Sequence, residues 1–223
     1  MTTRYKLTYT IIGINIVMYI ISAIYSGSLD DLPLDKLLDL GAMNGLLVVL
    51  KGEWYRVFVA MFLHGGLMHI AMNMFSLYIV GRVVETYFSK ISYLILYFSS
   101  GLFGAMLSLY MHPNSVGVGA SGAIFGVFGA IIGFFLYHKN RLGTQSNEVL
   151  KEFVVILVLN LVLGISISSI DLSAHIGGLF VGIIGGYVIS RYPKYNLAFL
   201  AVMMMVLFIS KSILESHYVQ IYF

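Results

Sequence analysis

The sequence predicts an all-α polytopic membrane protein with seven spanning helices, and three observations carry that expectation. Hydrophobic residues make up 59% of 223 and charged residues 10%, with a mean hydropathy of +0.92, whereas soluble domains carry roughly 25% charged residues. Apolar runs long enough to cross a bilayer recur along the chain. Nine of the thirteen Lys and Arg residues fall in alternate connections, as the positive-inside rule requires. The chain has no cysteine, so disulfides, thiolate metal sites and thiol catalysis are excluded. A net charge of +3 gives no reason to expect nucleic acid as a partner.

Seven runs read as spans: about 7–25, 67–84, 91–111, 119–137, 149–167, 171–189 and 197–213. The first follows Arg4 and Lys6, but its length and the lack of a small-x-small cleavage site point to an uncleaved helix. The fifth and sixth are joined by only Ser168 to Ile170. The whole chain, 1–223, is expected to form one membrane domain, with core helices at about 7–189 and an appended seventh helix at about 197–213. One side holds Arg4, Lys6, Arg82, Lys90, Lys139, Arg141, Lys151, Arg191 and Lys194; the other holds Lys36, Lys51, Arg56 and Lys211. The expected topology therefore has the N-terminus in the cytoplasm and the C-terminus outside.

The first loop is neither a span nor a plain polar connection. Asp30, Asp31, Asp35 and Asp39 alternate with leucines, and LLVVL and GEWYRVFVAMFLHGG follow. This composition suits an interfacial element with Trp54 and Tyr55 as headgroup-level anchors. A short or re-entrant eighth helix is the alternative. His64 is expected at the interface.

Polar residues inside a bilayer are costly unless paired. The fourth run opens with VGVGASGAIFG, in which Ser121 stands among Gly119, Ala120, Gly122 and Ala123. The second holds His69 and Asn73, four apart and so on one face. The sixth holds His175 ahead of a stripe formed by Gly178, Gly182 and Gly186. Taken singly, each has a simpler structural role: Ser121 as a small helix contact, His69 and Asn73 as interhelical hydrogen-bonding groups. Taken together they share more. The three helices run in the same direction, and all four residues fall roughly 5–10 Å below the outer boundary. A glycine stripe packed on the fourth helix would bring His175 to its N-terminal end.

That grouping has a chemistry. A serine hydroxyl becomes a nucleophile when a neutral histidine takes its proton, and the same histidine later protonates the leaving amine. The Asn73 amide, the His69 ring and the Ser121 backbone N–H could hold the oxyanion. Asp171 precedes His175 by one turn but sits at a helix start, where an N-cap role is simpler. The expectation is a Ser121–His175 dyad.

These residues resemble the rhomboid intramembrane serine proteases. The resemblance runs from about 52 to 186 and is carried by GEWYR (52–56), FLHGGLMHIAMNM (62–74), Glu85, GVGASGAIFG (117–126) and AHIGGLFVG (174–182). It implies a rhomboid-like six-helix bundle plus an appended helix, with a structured, membrane-associated first loop. It implies Ser121 as nucleophile, His175 as general base and acid, and His69 and Asn73 at the oxyanion. Gly119, Gly122, Phe125 and Gly178 would shape the site. Trp54 and Arg56 would belong to the structured loop, and Glu85 would hold the cytoplasmic end of the second helix. Some relatives carry a Tyr where this chain has Phe125; the ring face is kept and the hydroxyl is lost.

The implied function is endopeptidase cleavage in or near transmembrane segments of single- or few-span substrates that enter laterally from the lipid bilayer. No metal, cofactor or nucleic acid is called for. The site would open toward the outer face, and a prokaryotic plasma membrane is the expected location. A non-catalytic rhomboid-like protein that routes membrane clients, and a transporter or channel, are the competing readings.

Overall fold

The computed structural model describes residues 5–166 and 171–223, without the side chains of 144–147, 149, 152, 156 and 159–166. The protein is a mostly helical, multi-pass membrane protein. Helix α1 spans Lys6–Ser26. The first loop then folds into short pieces: helix α2 (Leu34–Asp39), strand β1 (Met43–Asn44), a wide helical turn at Leu46–Leu50, helix α3 (Tyr55–Val59) and a tight turn at Ala60–Phe62. Helices α4 (Leu67–Tyr87) and α5 (Lys90–Met111) follow, and strand β2 (Val116–Gly117) leads into α6 (Ser121–Ser166). Helices α7 (Leu172–Arg191) and α8 (Asn196–Tyr222) complete the order. Six helical stretches among the described residues are long and apolar enough to span: α1, α4, α5, α6 as far as Gly143, α7, and α8 with the turn before it.

Two differences from the expected spans have local causes. The fourth and fifth runs are not parted by an unwound loop. Helix α6 continues through the polar segment and breaks only at Gly143, whose φ of 59° and ψ of −143° few other residues adopt. The end of the fifth run and the connection Ser168–Ile170 lie outside the described residues. Helix α8 extends nine residues beyond the expected end at Ile213. Hydropathy falls there because of charge, yet Lys211 and Glu215 pair one turn apart and helix is kept. Both residues lie within α8.

The first loop contains short helices, the longest of six residues, and none of span length. Its buried anchor is Arg56, which donates to the Leu38 carbonyl at 2.6 Å and the Ala42 carbonyl at 3.1 Å and pairs with Glu53. Trp54 also packs against α8: the Lys211 ammonium lies 5.1 Å from its ring centre. Leu214 and Tyr218 of α8 share an apolar cluster with Met43, Val48 and Val57 of the loop. The larger core runs through Leu77, Val80 and Val84 of α4, Tyr93 and Leu96 of α5, and Val127 and Ile131 of α6.

Glu85 ties the far end of the bundle. Helix α1 has no side-chain cap of its own. Instead the Glu85 carboxylate accepts from the Leu7 and Thr8 amides at 2.9 Å each and from the Thr8 hydroxyl at 2.8 Å. A carboxylate at a helix N-terminus satisfies free N–H groups and the dipole together.

Helices α6 and α7 meet backbone to backbone. A Cβ added at Gly178 would lie 2.0 Å from the Gly122 carbonyl oxygen, one at Gly182 2.0 Å from that of Gly126, and one at Gly186 2.3 Å from that of Ala130. Lipid tails are as apolar as leucine, so helices associate through such close packing rather than through hydrophobic exclusion. We expect Gly182→Ala to lower stability by about 1–3 kcal/mol, as overpacking does, read as a lower melting temperature in detergent. Gly13→Ala, within α1 and where an added Cβ meets nothing within 4 Å, should not lower that temperature.

Candidate active site

The approach to Ser121 is held before the helix begins. Val116 and Gly117 pair with Asn44 and Met43 of the first loop. Gly119 then takes φ +120° and donates its N–H to the Ala60 carbonyl at 2.9 Å. A residue with that φ cannot be helical, so α6 starts at Ser121 itself rather than two residues earlier. The Ser121 amide is therefore among the first-turn N–H groups that have no partner within the helix. Ala120 is fully buried beneath this turn.

Three helices converge there, and their contacts fix their directions. Gly122 faces Ala174, and Gly133 faces Ile183 and Tyr187, so α6 and α7 run in parallel. Gly119 faces His69, and Phe134 stands against Tyr87 with ring centres 4.5 Å apart, so α4 is parallel to both. His69 is the third residue of α4, Asn73 the seventh and His175 the fourth of α7. The shared direction expected from the charge pattern is the one observed, and the glycine stripe does pack on the helix that begins with Ser121.

His175 is buried, and its ring is clamped on one face by Phe125, at 4.1 Å between centres and 8° between planes. Phe125 is one turn below Ser121, so the same helix supplies both the hydroxyl and the platform for the imidazole. The other constraint is the seam. Gly122, next to Ser121, packs on Ala174, next to His175, with 3.3 Å between its would-be Cβ and the Ala174 carbonyl oxygen. His175 Nδ1 has no hydrogen-bond partner among the described residues. Asp171 does not reach it. That carboxylate accepts from the Ser173 and Ala174 amides at 3.0 and 3.2 Å and from the Ser173 hydroxyl, capping α7. Burial alone would raise its pKa. Hydrogen bonds from Ser108, Ser173 and Ala174, with His112 nearby, outweigh that and hold the carboxyl below its usual range.

His69 and Asn73 face the glycine turn. A Cβ on Gly119 would lie 2.8 Å from His69 Nε2 and 4.0 Å from Asn73 Nδ2. The Asn73 amide donates one N–H to the His69 carbonyl at 3.0 Å and has a second to offer. The Gly65 N–H points at His69 Nδ1 at 3.4 Å. With Nδ1 accepting, a neutral His69 carries its proton on Nε2, the nitrogen turned toward Gly119.

His64 is packed inside the protein just ahead of α4. It is fully buried, edge-on to the His69 ring at 5.1 Å, and neither ring nitrogen has a partner among the described residues. Burial, with His69 beside it, drives its pKa down to about 3, so it packs as a neutral ring. The Gly-Gly step after it turns the chain back over α4, and Leu32 N–H to the Gly65 carbonyl closes that corner at 2.9 Å. Ala60 and Gly65, which hold the approach and orient His69, carry no side-chain signal, because both act through the backbone.

A helical membrane protein with six span-length stretches among the described residues, and with a serine, a stacked histidine and two further polar side chains grouped at one end of three parallel helices, is the class defined so far. The sequence profile of the Rhomboid domain matches residues 51–192. The chain is 35% identical over 176 residues, 78% of its length, to a protein named Rhomboid protease GluP of Bacillus subtilis (strain 168), of which the match covers 33%. It is 36% identical over 155 residues to RHOMBOID-like protein 6, mitochondrial, of Arabidopsis thaliana, covering 70% of this chain and 50% of that one. RHOMBOID-like protein 1 of the same plant is 34% identical over 157 residues, covering 70% and 40%. The chain thus spans a third to a half of the length of these relatives. It belongs to the rhomboid family, and with it to a protease superfamily.

The arrangement of His69 has a direct spectroscopic consequence. In 15N-labelled protein, Nε2 of His69 should show the shift of a protonated ring nitrogen and Nδ1 that of an unprotonated one. The reverse assignment would remove the Gly65 contact as the orienting feature.

Proposed function

We propose that the chain is an intramembrane serine endopeptidase that hydrolyses peptide bonds in or near transmembrane segments of membrane-protein substrates. The observation that carries this reading is the placement of Ser121, as the first residue of α6, in the turn that abuts the His175 turn, with His69 and Asn73 facing the glycine just before it. His175 takes the Ser121 proton as Oγ attacks the scissile carbonyl. The oxyanion is received by the Ser121 N–H, His69 Nε2–H and the free Asn73 N–H, all fixed in advance and so costing little reorganisation. His175 then gives its proton to the leaving amine, and a water activated by the same ring hydrolyses the acyl-enzyme. Phe125 keeps the imidazole in one plane through the cycle; no carboxylate is needed to orient it, which makes this a dyad.

The substrates in this reading are single- or few-span membrane proteins entering sideways from the bilayer. Their helix must unwind at the cut, since helical carbonyls are engaged in i to i−4 bonds. Glycine and alanine around Ser121 favour a small side chain before the scissile bond. In this reading the protein sits in a prokaryotic plasma membrane with its N-terminus in the cytoplasm, its C-terminus outside and its site toward the outer face; the distribution of Lys and Arg supports that orientation.

Purified protein in liposomes with a model single-span substrate tests the dyad. Ser121→Ala and His175→Ala should each lower cleavage on the order of 10³-fold or more, and the double variant no further, because the two act as a unit. Asn73→Ala should cost ~10²–10³ in rate. Continued cleavage by either dyad variant would sink the assignment, and a wild type inert toward several substrates would favour a client-routing protein. A reporter active only outside the membrane, fused after Phe223, should be active; activity of a cytoplasmic reporter there instead would reverse the topology.

A further inference from the structure

The end of the bundle opposite Ser121 holds a cation for which the described residues offer no carboxylate. Arg82 lies on α4, five residues before its end, and its guanidinium carbon is 4.7 Å from the centres of both the Tyr5 and the Tyr78 rings. It makes no ion pair among the described residues, and its Nε is buried without a hydrogen-bond partner. Glu85, one turn on, is the nearest acid in sequence, and its oxygens are taken by the start of α1. Around this cation opens a surface cavity of about 370 Å³, walled by Tyr5, Tyr78, Thr86, Tyr87 and Phe153. That volume is in the range of small-ligand sites.

We propose that this cavity binds the phosphate of an anionic phospholipid, with Arg82 as its counter-charge. Its depth fits. Arg82 is roughly 7 Å from the end of a membrane-spanning helix by the helical rise, and Tyr5 stands just before the start of another, which is headgroup level. Its chemistry fits as well. Guanidinium matches phosphate oxygens through paired N–H groups, and two tyrosine rings pack against it. Tyr78 and Tyr87 are 40% and 46% exposed and flank the opening, offering ring surface to the first carbons of the acyl chains and hydroxyls to the headgroup. An unpaired cation at this depth favours a lipid of net negative charge over a zwitterionic one, although both carry phosphate.

The test is lipid retention by the full-length protein taken from vesicles of equal phosphatidylglycerol and phosphatidylcholine, read by native mass spectrometry. The parent should retain phosphatidylglycerol in excess. Arg82→Gln should lower that excess about fivefold, the amount one cation at a membrane surface accounts for. Arg82→Lys, which keeps charge and helix but loses the fork, should fall between the two. Lys90→Gln, outside the cavity, should retain as much as the parent. An equal fall in Lys90→Gln would reduce the effect to general surface charge and overturn the site, as would unchanged retention in Arg82→Gln. To separate lipid from free phosphate, melting is followed with each alone. Phosphatidylglycerol should raise the melting temperature of the parent and inorganic phosphate should not; the opposite result overturns a lipid ligand. If Arg82→Gln does not fold, Tyr78→Leu, which removes one of the two rings against the guanidinium, must lower retention for the proposal to stand.

Discussion

Everything at the Ser121 end depends on two backbones touching. Helices α6 and α7 approach so closely that glycine on one side meets carbonyl oxygen on the other at three successive turns, Gly178, Gly182 and Gly186. Such contact has little tolerance. Larger side chains at those turns would wedge the helices apart, and interiors this tightly packed do not deform by degrees. The relation between Ser121 and His175 is therefore set by main chain, not by long side chains that could relax. Phe125 adds the remaining constraint, because two helices at fixed separation still leave an imidazole free to turn. Its ring closes one face of His175 and removes that freedom.

The first loop is as much a part of this construction as the spans are. Its strand pairs with the two residues ahead of the Gly119 turn, its Ala60 carbonyl takes the Gly119 N–H, and its last residues turn His69 toward the same point. Arg56 makes this possible by gathering two carbonyls from separate parts of the loop around one buried guanidinium. A buried charge is tolerated here because each contact is a hydrogen bond and Glu53 supplies the balancing carboxylate. The seam sets the base against the serine's helix, while the loop sets the serine's helix against His69 and Asn73.

The sequence made the spans and their shared direction legible, because long apolar runs and the side on which cations fall are properties of whole segments. The grouping of Ser121, His69, Asn73 and His175 followed from direction and depth. Other features were beyond such reading for physical reasons. The pairing of Met43–Asn44 with Val116–Gly117 is two residues long, too short for a period-two pattern. The orienting groups at Ala60 and Gly65 are peptide atoms. His64 carries a polar ring that the fold buries whole, and hydropathy counts the ring, not its surroundings. Helix α8 outran its apolar stretch because Lys211 and Glu215 answer each other within the helix. Glu85 could be placed near the membrane surface, but that it caps α1 depends on a residue 77 positions away.

Helix α8 reaches back to the lead-in of the serine. Tyr218 donates to the Leu109 carbonyl in the last turn of α5 at 2.8 Å and to that of Pro113 at 3.4 Å, and Tyr222 donates to the Asn114 side-chain carbonyl, the last two in the turn between α5 and β2. A ribosome delivers the chain in order, and α8 emerges after every residue grouped around Ser121. Until it inserts, that turn lacks its outer clamp. Assembly of this end of the molecule is therefore ordered in time: the seam between α6 and α7 can close and the strand ahead of Ser121 can pair with the first loop, while the turn before that strand gains its clamp only when α8 arrives.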